Sequence, residues 1–71
     1  MNRSTATVKW YDPHVGHGFL TPDERDEDEV FVHHSAIHGT GMKPLGPGDR
    51  VEYDLVQTEH GPAAEGVLRA P

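Results

Sequence analysis

Two short segments of the sequence alternate flat rings with small or aliphatic side chains. Residues 16–20 are Gly-His-Gly-Phe-Leu, and residues 29–37 are Glu-Val-Phe-Val-His-His-Ser-Ala-Ile. On a pleated strand, successive side chains point to opposite faces, so Val30 is expected on one face and Phe31 on the other. The aliphatic face suits a core. Two adjacent strands that present rings outward form a platform on which unpaired bases can stack.

The elements that must position these rings are short β-strands. The pattern of apolar, β-branched and turn-forming residues predicts five of them, over residues 5–11, 17–21, 29–34, 50–57 and 63–69. The connection over 35–48 contains four glycines and two prolines, so it is expected to be long and irregular, with a short helical turn at its start. Five short strands are too few for a sandwich and hide their edges best by closing. The pattern therefore predicts an all-β fold, a five-stranded antiparallel barrel.

Length and composition limit what else the chain can be. Its 71 residues allow one domain with one modest core, and we expect that domain to span residues 1–71. The absence of cysteine excludes a disulfide framework and a thiolate metal site, which is consistent with a reducing cytoplasm. No apolar segment approaches the roughly 20 residues that cross a bilayer. We therefore expect a cytoplasmic monomer that does not contact a membrane.

The net charge of −6 argues against a nucleic-acid partner, because phosphate binding normally requires a basic surface. The acidity is, however, concentrated in one segment. Residues 23–29 hold six acidic side chains and Arg25, a net charge of −5, so the rest of the chain carries only −1. Charges at this density repel one another and predict a solvated loop. The loop could also act as a negative gate that repels phosphates and directs the strand to the rings, or it could reflect adaptation to high salt.

Four motifs, in order along the chain, resemble the cold-shock domain family. They are Val-Lys-Trp-Tyr at 8–11, Gly-His-Gly-Phe-Leu-Thr-Pro at 16–22, Val-Phe-Val-His-His-Ser-Ala-Ile at 30–37 and Gly-Pro-Ala-Ala at 61–64. The resemblance spans about residues 5–68. It implies an OB-fold barrel that binds single-stranded RNA and DNA through two ribonucleoprotein motifs on neighbouring strands. It also implies an RNA chaperone, which melts weak secondary structure by trapping unpaired bases.

The resemblance also implies a nucleic-acid-binding face, position by position. That face consists of Lys9, Trp10, His17, Phe19, Phe31, His33, His34, Met42, Lys43 and His60. The two lysines would hold phosphates. Several positions depart from the family pattern: His17, His34 and Met42 replace the usual phenylalanine, Val15 and His60 replace a usual lysine or arginine, and Glu65 replaces a small residue. We therefore expect weaker binding than is usual in the family.

The rings and histidines predict how binding responds to conditions. Stacking is worth roughly 1–3 kcal/mol per base, so Trp10, Phe19 and Phe31 would suffice for roughly micromolar affinity after the cost of association. Two fixed cations predict a salt slope of roughly −1.5 for single strands. Histidine has a reference pKa near 6.5, and protonation would add charge to the face. Binding should therefore tighten and become more salt-sensitive between about pH 7.5 and 5.5.

The orientation of two side chains remains open from the sequence. Strict alternation from Val8 places Trp10 inward, whereas the family resemblance places it outward, which requires a local bulge. Alternation from Val67 places Glu65 inward, where an unpaired carboxylate would be costly. Either that strand is bulged or that end of the barrel is wet.

The six histidines suggest a metal hypothesis, because imidazole is a common ligand of zinc, nickel and copper. They are His14, His17, His33, His34, His38 and His60. Their spacing matches no metal motif, and the adjacent rings of His33 and His34 would diverge on a regular strand. We therefore expect no metal site and no cofactor. The Gly16-His17-Gly18 segment is a weak phosphate-cradle signal, and its glycines more simply permit a close backbone approach or a bulge.

Catalysis is not expected. The chain has only Ser4 and Ser35 as serines, neither with an evident base and carboxylate, and most carboxylates lie in one loop. We expect neither an enzyme nor a small-molecule substrate. The alternative function from another class is a small OB barrel that serves as a protein-interaction module, with nucleic-acid binding weakened or lost.

Overall fold

The computed structural model describes residues 3–24, 28–38 and 44–70. These residues form five strands and one turn of 3₁₀ helix at His34–Ala36. The strands are β1 (Ser4–Asp12), β2 (His17–Pro22), β3 (Val30–His33), β4 (Arg50–Thr58) and β5 (Gly61–Arg69). Every expected strand is therefore present, with ends that shift by one or two residues. Within the described ranges, no helix is long and apolar enough to cross a membrane.

The five strands close into a barrel in the order β1-β2-β3-β5-β4. Four of the neighbouring pairs are antiparallel. The fifth, β3 with β5, is parallel and places Phe31 opposite Ala63. The expected five-stranded barrel is confirmed, but its antiparallel pairing does not extend to this pair. Strand directions cannot alternate all the way around a ring with an odd number of members, so one pair must be parallel.

The core lies inside the barrel and is mostly aliphatic, with Tyr53 as its largest fully buried side chain. Among the described residues, its buried members are Ala6, Val8, Leu20, Val30, Val32, Leu45, Val51, Tyr53, Ala64 and Val67. Alternation accounts for the pairs on single strands, such as Val30 with Val32, as the sequence predicts. Each fully buried large side chain contributes about 1.5–3 kcal/mol from apolar burial. Because these residues fill the interior, and the one ring among them is Tyr53 of β4, the rings on β1, β2 and β3 remain on the outside.

A bulge in β1 turns Trp10 outward. Val8 pairs with Leu20 and Trp10 pairs with Phe19, so β1 carries one more residue than β2 across this step. The extra residue reverses the alternation, since each residue added to one strand inverts the side-chain phase beyond it. Val8 is consequently buried and Trp10 is 37% exposed. The bulge that the outward orientation requires is thus confirmed.

A second bulge, in β5, resolves the orientation of Glu65. Gly66 adopts a φ of +59°, in the left-handed region that favours glycine. Glu52 pairs with Leu68 and Asp54 with Glu65, so β5 advances three positions where β4 advances two and carries an extra residue here. Val67 and Ala64 are both buried, while Glu65 between them is exposed. The carboxylate therefore lies in solvent, and no buried charge results.

Asp23, at the start of the acidic segment, is hydrogen-bonded to residues of two neighbouring strands. Its carboxylate accepts hydrogen bonds from both terminal nitrogens of Arg50, at 2.6 and 2.7 Å, and from the Thr5 hydroxyl at 2.5 Å. These bonds, those from Arg50 first and then that from Thr5, hold the pKa of Asp23 well below its usual range. The contact joins β1, β4 and the end of β2 on the outside of the barrel.

Acid should weaken the fold through Asp23. The carboxyl of Asp23 has a lower pKa in the folded state than in the unfolded state, where its pKa is about 4. Such a group stabilises the folded state at pH values above about 4, and this contribution is lost as the pH falls below that value. Asp23→Asn should therefore lower the urea midpoint at neutral pH and flatten its decline below about pH 4. Asp28→Asn, in the same acidic segment, is the matched control. Identical pH profiles for the two variants would contradict this role.

Candidate nucleic-acid interface

Four rings on β1, β2 and β3 form one contiguous cluster on the outside of the barrel. We call Trp10, His17, Phe19 and Phe31, together with His33 at the end of β3, the ring face. β2 lies between the other two strands, and Phe19 is directly opposite both Trp10 and Phe31. The ring centroids are 5.7 Å apart for Trp10 and Phe19 and 5.8 Å apart for Phe19 and Phe31. Strand register therefore brings together rings that are distant in sequence.

His17 completes the cluster. Its ring centroid lies 5.9 Å from that of Trp10 and 5.5 Å from that of Phe31. These separations are typical of favourable aromatic pairs, so each ring supports its neighbours. The interplanar angles range from 38° to 72°, so the rings do not form a single plane. The face is suited to stacking bases one by one on separate rings.

The rings of His33 and His34 lie against each other, whereas the sequence predicts that they diverge. β3 ends at His33, and His34 begins the 3₁₀ turn, so strand alternation no longer separates them. The two ring centroids are 4.2 Å apart, with an angle of 39° between the rings. His33 Nδ1 accepts a hydrogen bond from the Ser35 backbone N–H at 3.2 Å and lies 2.9 Å from the Ser35 hydroxyl. In the neutral imidazole this leaves Nε2 as the donor.

The two glycines around His17 permit close packing beneath the ring face. A Cβ at Gly18 would overlap the carbonyl oxygen of Trp10 and lie 2.7 Å from the Cα of Tyr11. A Cβ at Gly16 would lie 2.9 Å from the His34 ring. The glycines therefore allow close approach of the backbone, as the simpler interpretation of this segment predicts.

The fixed cations in the described part of the chain are all ion-paired. The pairs are Arg3 with Glu52 and Asp54, Lys9 with Glu29, Arg50 with Asp23, and Arg69 with Asp49. Lys9 is the cation predicted to hold a phosphate, and its Nζ lies 2.5 Å from Glu29 Oε2. The sequence interpretation counted Glu29 both in the acidic segment 23–29 and at the start of the strand predicted over 29–34, but it did not assign Glu29 to the binding face. Alternation with Phe31 and His33 was the available signal, since it places Glu29 on their face.

A cleft of about 600 Å³ adjoins the ring face between β3 and the β4–β5 hairpin. Phe31 and His33 line one side, and Val56, Thr58 and Pro62 line the other. His60, in the exposed turn between β4 and β5, lies at the rim of the same cleft. The fold thus brings His60 to the edge of the face that contains Phe31, although the two residues are far apart in the sequence.

Two predicted site residues, Met42 and Lys43, lie outside the described residues.

The structure also bears on the metal hypothesis. Over 3–24, 28–38 and 44–70, no three histidine, aspartate or glutamate side chains are grouped as metal ligands would be. His14 and His38 are exposed and do not belong to the ring face.

Comparisons with known proteins agree with this architecture. The family model described as the 'Cold-shock' DNA-binding domain matches residues 4–70. Cold shock-like protein CspLB of Listeria monocytogenes is 45% identical over 65 residues, which cover 92% of this chain and 96% of that protein. Cold shock-like protein CspE of Escherichia coli is 41% identical over 68 residues, which cover 96% of this chain and 97% of that protein.

A solved structure has the same fold. The chain of Drosophila Unr described as CSD456 superposes with a TM-score of 0.80 and 26% sequence identity, over 99% of this chain. This chain spans only about a quarter of that longer one, with 27% covered. The closed barrel and the four ordered motifs, taken with a family match over nearly every residue, lead to one conclusion. This chain belongs to the cold-shock domain family.

Proposed function

We propose that this protein binds single-stranded RNA and DNA by stacking unpaired bases on the ring face, without catalysing a reaction. The observation that carries this proposal is the contiguous cluster of Trp10, His17, Phe19 and Phe31 outside a barrel whose interior is already filled by other side chains. Every nucleobase has a flat face, so such a surface tolerates many sequences. Membership of the cold-shock domain family points to the same class of partner.

The site residues have distinct roles in this proposal. Trp10, Phe19, Phe31 and His33 stack bases, and Lys9 with Lys43 holds phosphates. A weaker rim consists of His17, His34, Met42 and His60. Because the rings are tilted against one another, successive bases must splay apart to use them. A strand that is splayed on the protein cannot pair, which suits an RNA chaperone that melts weak hairpins, where little pairing energy is lost.

We propose a simple setting for this activity. The single barrel acts as a monomer in the cytoplasm, with no cofactor and no small-molecule substrate. Stacking on Trp10, Phe19 and Phe31 alone, at roughly 1–3 kcal/mol per base and less the cost of association, corresponds to affinity near micromolar.

Tryptophan fluorescence tests the proposal directly. Trp10 is the only tryptophan, so its emission reports on the ring face alone. Titration with oligothymidine or oligouridine should quench it, whereas a blunt duplex of the same length should quench it far less because its bases are already paired. Absence of both quenching and binding would refute the proposal. It would favour instead the alternative of a barrel that serves as a protein-interaction module.

Acid should tighten the binding of single strands. His17, His33, His34 and His60 lie on or beside the ring face. The charged side chains near them in the described residues include Lys9, Glu29, Glu65 and Glu59, whose Oε1 lies 3.6 Å from His60 Nε2. Between about pH 7.5 and 5.5, histidine ordinarily gains a proton, and each added charge that meets a phosphate steepens the salt slope by about 0.7. Oligothymidine affinity at both pH values, over a series of salt concentrations, measures this.

The matched variants for this pH experiment are His17→Gln and His38→Gln. His17 lies within the ring cluster, whereas His38 is exposed away from it. We expect His17→Gln to reduce the pH response and His38→Gln to leave it unchanged. Equal affinities and salt slopes at the two pH values in the unmodified protein would exclude a role for histidine protonation.

A further inference from the structure

The charge on the ring face is arranged in an unexpected way. Lys9, the cation predicted to hold a phosphate, is paired in the free protein with Glu29 at 2.5 Å. Both side chains are about half exposed, at 52% and 44%, so an incoming phosphate can reach the pair. Glu29 also lines the cleft beside Phe19 and Phe31, so it is part of the surface that a bound strand would cover.

We propose that Glu29 is an autoinhibitory residue that masks Lys9, so that nucleic-acid binding is a displacement in which a phosphate replaces the Glu29 carboxylate. This inference rests on the proposed function and concerns how the contact between Lys9 and a phosphate is regulated. In the free protein the carboxylate satisfies the ammonium group, and in the complex a phosphate oxygen does so. The exchange leaves the number of lysine ion pairs unchanged.

Two consequences follow from the exchange. The phosphate contact contributes little net free energy, because one ion pair is broken for each one formed, and the base stacks therefore provide most of the affinity. The dependence on salt is also shallow, since salt weakens the internal pair and the phosphate contact together. The protein then selects strands by their accessible bases rather than by their density of phosphates.

Neutralising Glu29 should expose the lysine. We expect Glu29→Gln to tighten oligothymidine binding by about two- to five-fold, the range that corresponds to the strength of an exposed ion pair. The salt slope should steepen by up to about 0.7, the value for one phosphate neutralised on a single strand. Trp10 fluorescence over a series of salt concentrations measures both quantities.

Glu24→Gln is the matched control, because Glu24 is an exposed member of the same acidic segment and lies outside the ring face. It removes the same charge, so it reports the general effect of a less negative protein. A double-mutant cycle with Lys9→Ala tests the mechanism. In the Lys9→Ala background, Glu29→Gln should have no greater effect than Glu24→Gln, because no lysine remains to be released.

The outcomes separate this proposal from the proposed function. If oligothymidine quenches Trp10 but Glu29→Gln matches Glu24→Gln, the masking proposal is wrong and nucleic-acid binding stands. An equal gain from Glu29→Gln with and without Lys9 also overturns masking, because it indicates simple repulsion. If neither the unmodified protein nor Glu29→Gln binds the oligonucleotide, the proposed function itself fails.

Discussion

Phe31→Ala should weaken oligothymidine binding by about 1–3 kcal/mol, which corresponds to roughly 5- to 150-fold in the dissociation constant. The Phe31 ring lies between the rings of β2 and the cleft, and it contacts both Phe19 and His17. Removal of the Phe31 ring deletes one stacking surface, and it also deletes the contacts that support the rings of Phe19 and His17. The salt slope should stay nearly unchanged, because no charge is lost. Fluorescence titration at several salt concentrations provides both values.

A second variant separates stacking from general packing. Phe31→Leu retains an apolar side chain of similar bulk but has no flat ring, so it should lose most of the same affinity while the barrel remains folded. Leu68→Ala is the matched control, since Leu68 is 37% exposed on β5 and lies outside both the ring face and the cleft. Binding by Phe31→Leu equal to that of the unmodified protein would remove Phe31 from the stacking surface.

Gly18→Ala should cost the fold roughly 3 kcal/mol or more, at or beyond the upper end of ordinary overpacking. The added methyl group would overlap the Trp10 carbonyl oxygen and approach the Tyr11 Cα to 2.7 Å. These are backbone atoms of the paired strand, so no side chain can move aside to make room. A single core of this size rarely supplies more than about 3–5 kcal/mol, so a large part of the variant should be unfolded.

Urea unfolding followed by far-UV circular dichroism measures the loss at Gly18. Gly46→Ala is the control, because a Cβ at Gly46 would meet only the Asp49 carboxylate at 3.7 Å, an ordinary contact. We expect that variant to unfold close to the unmodified midpoint. A midpoint for Gly18→Ala within experimental error of the Gly46→Ala value would show that β1 and β2 can separate at this point without cost.

Some features of the site could be predicted because they depend on local geometry. Val30 and Val32 lie inside and Phe31 lies outside because alternation is a property of any strand, whatever its neighbours. The position of Trp10 was different. Alternation alone placed it inward, and only the family resemblance indicated the bulge that turns it out.

Other features could not be predicted because they depend on which strands become neighbours. Lys9 and Glu29 are twenty positions apart, and the ion pair between them became visible only in the folded barrel. His33 and His34 were expected to diverge, but the strand ends between them and their rings meet. Glu65 is exposed because Gly66 adopts a positive φ, which the sequence alone allows but does not require.

The amino-acid sequence by itself determined the barrel class, the burial of Val30 and Val32 and the outward orientation of Phe31 between them. These follow from residue type and from a repeat of two, which act over a few neighbouring residues. Only the tertiary structure decided the parallel pairing of β3 with β5, the bulge at Gly66 and the pairing of Lys9 with Glu29. These depend on closure of the ring and on strand register, which are set by contacts between residues distant in the chain.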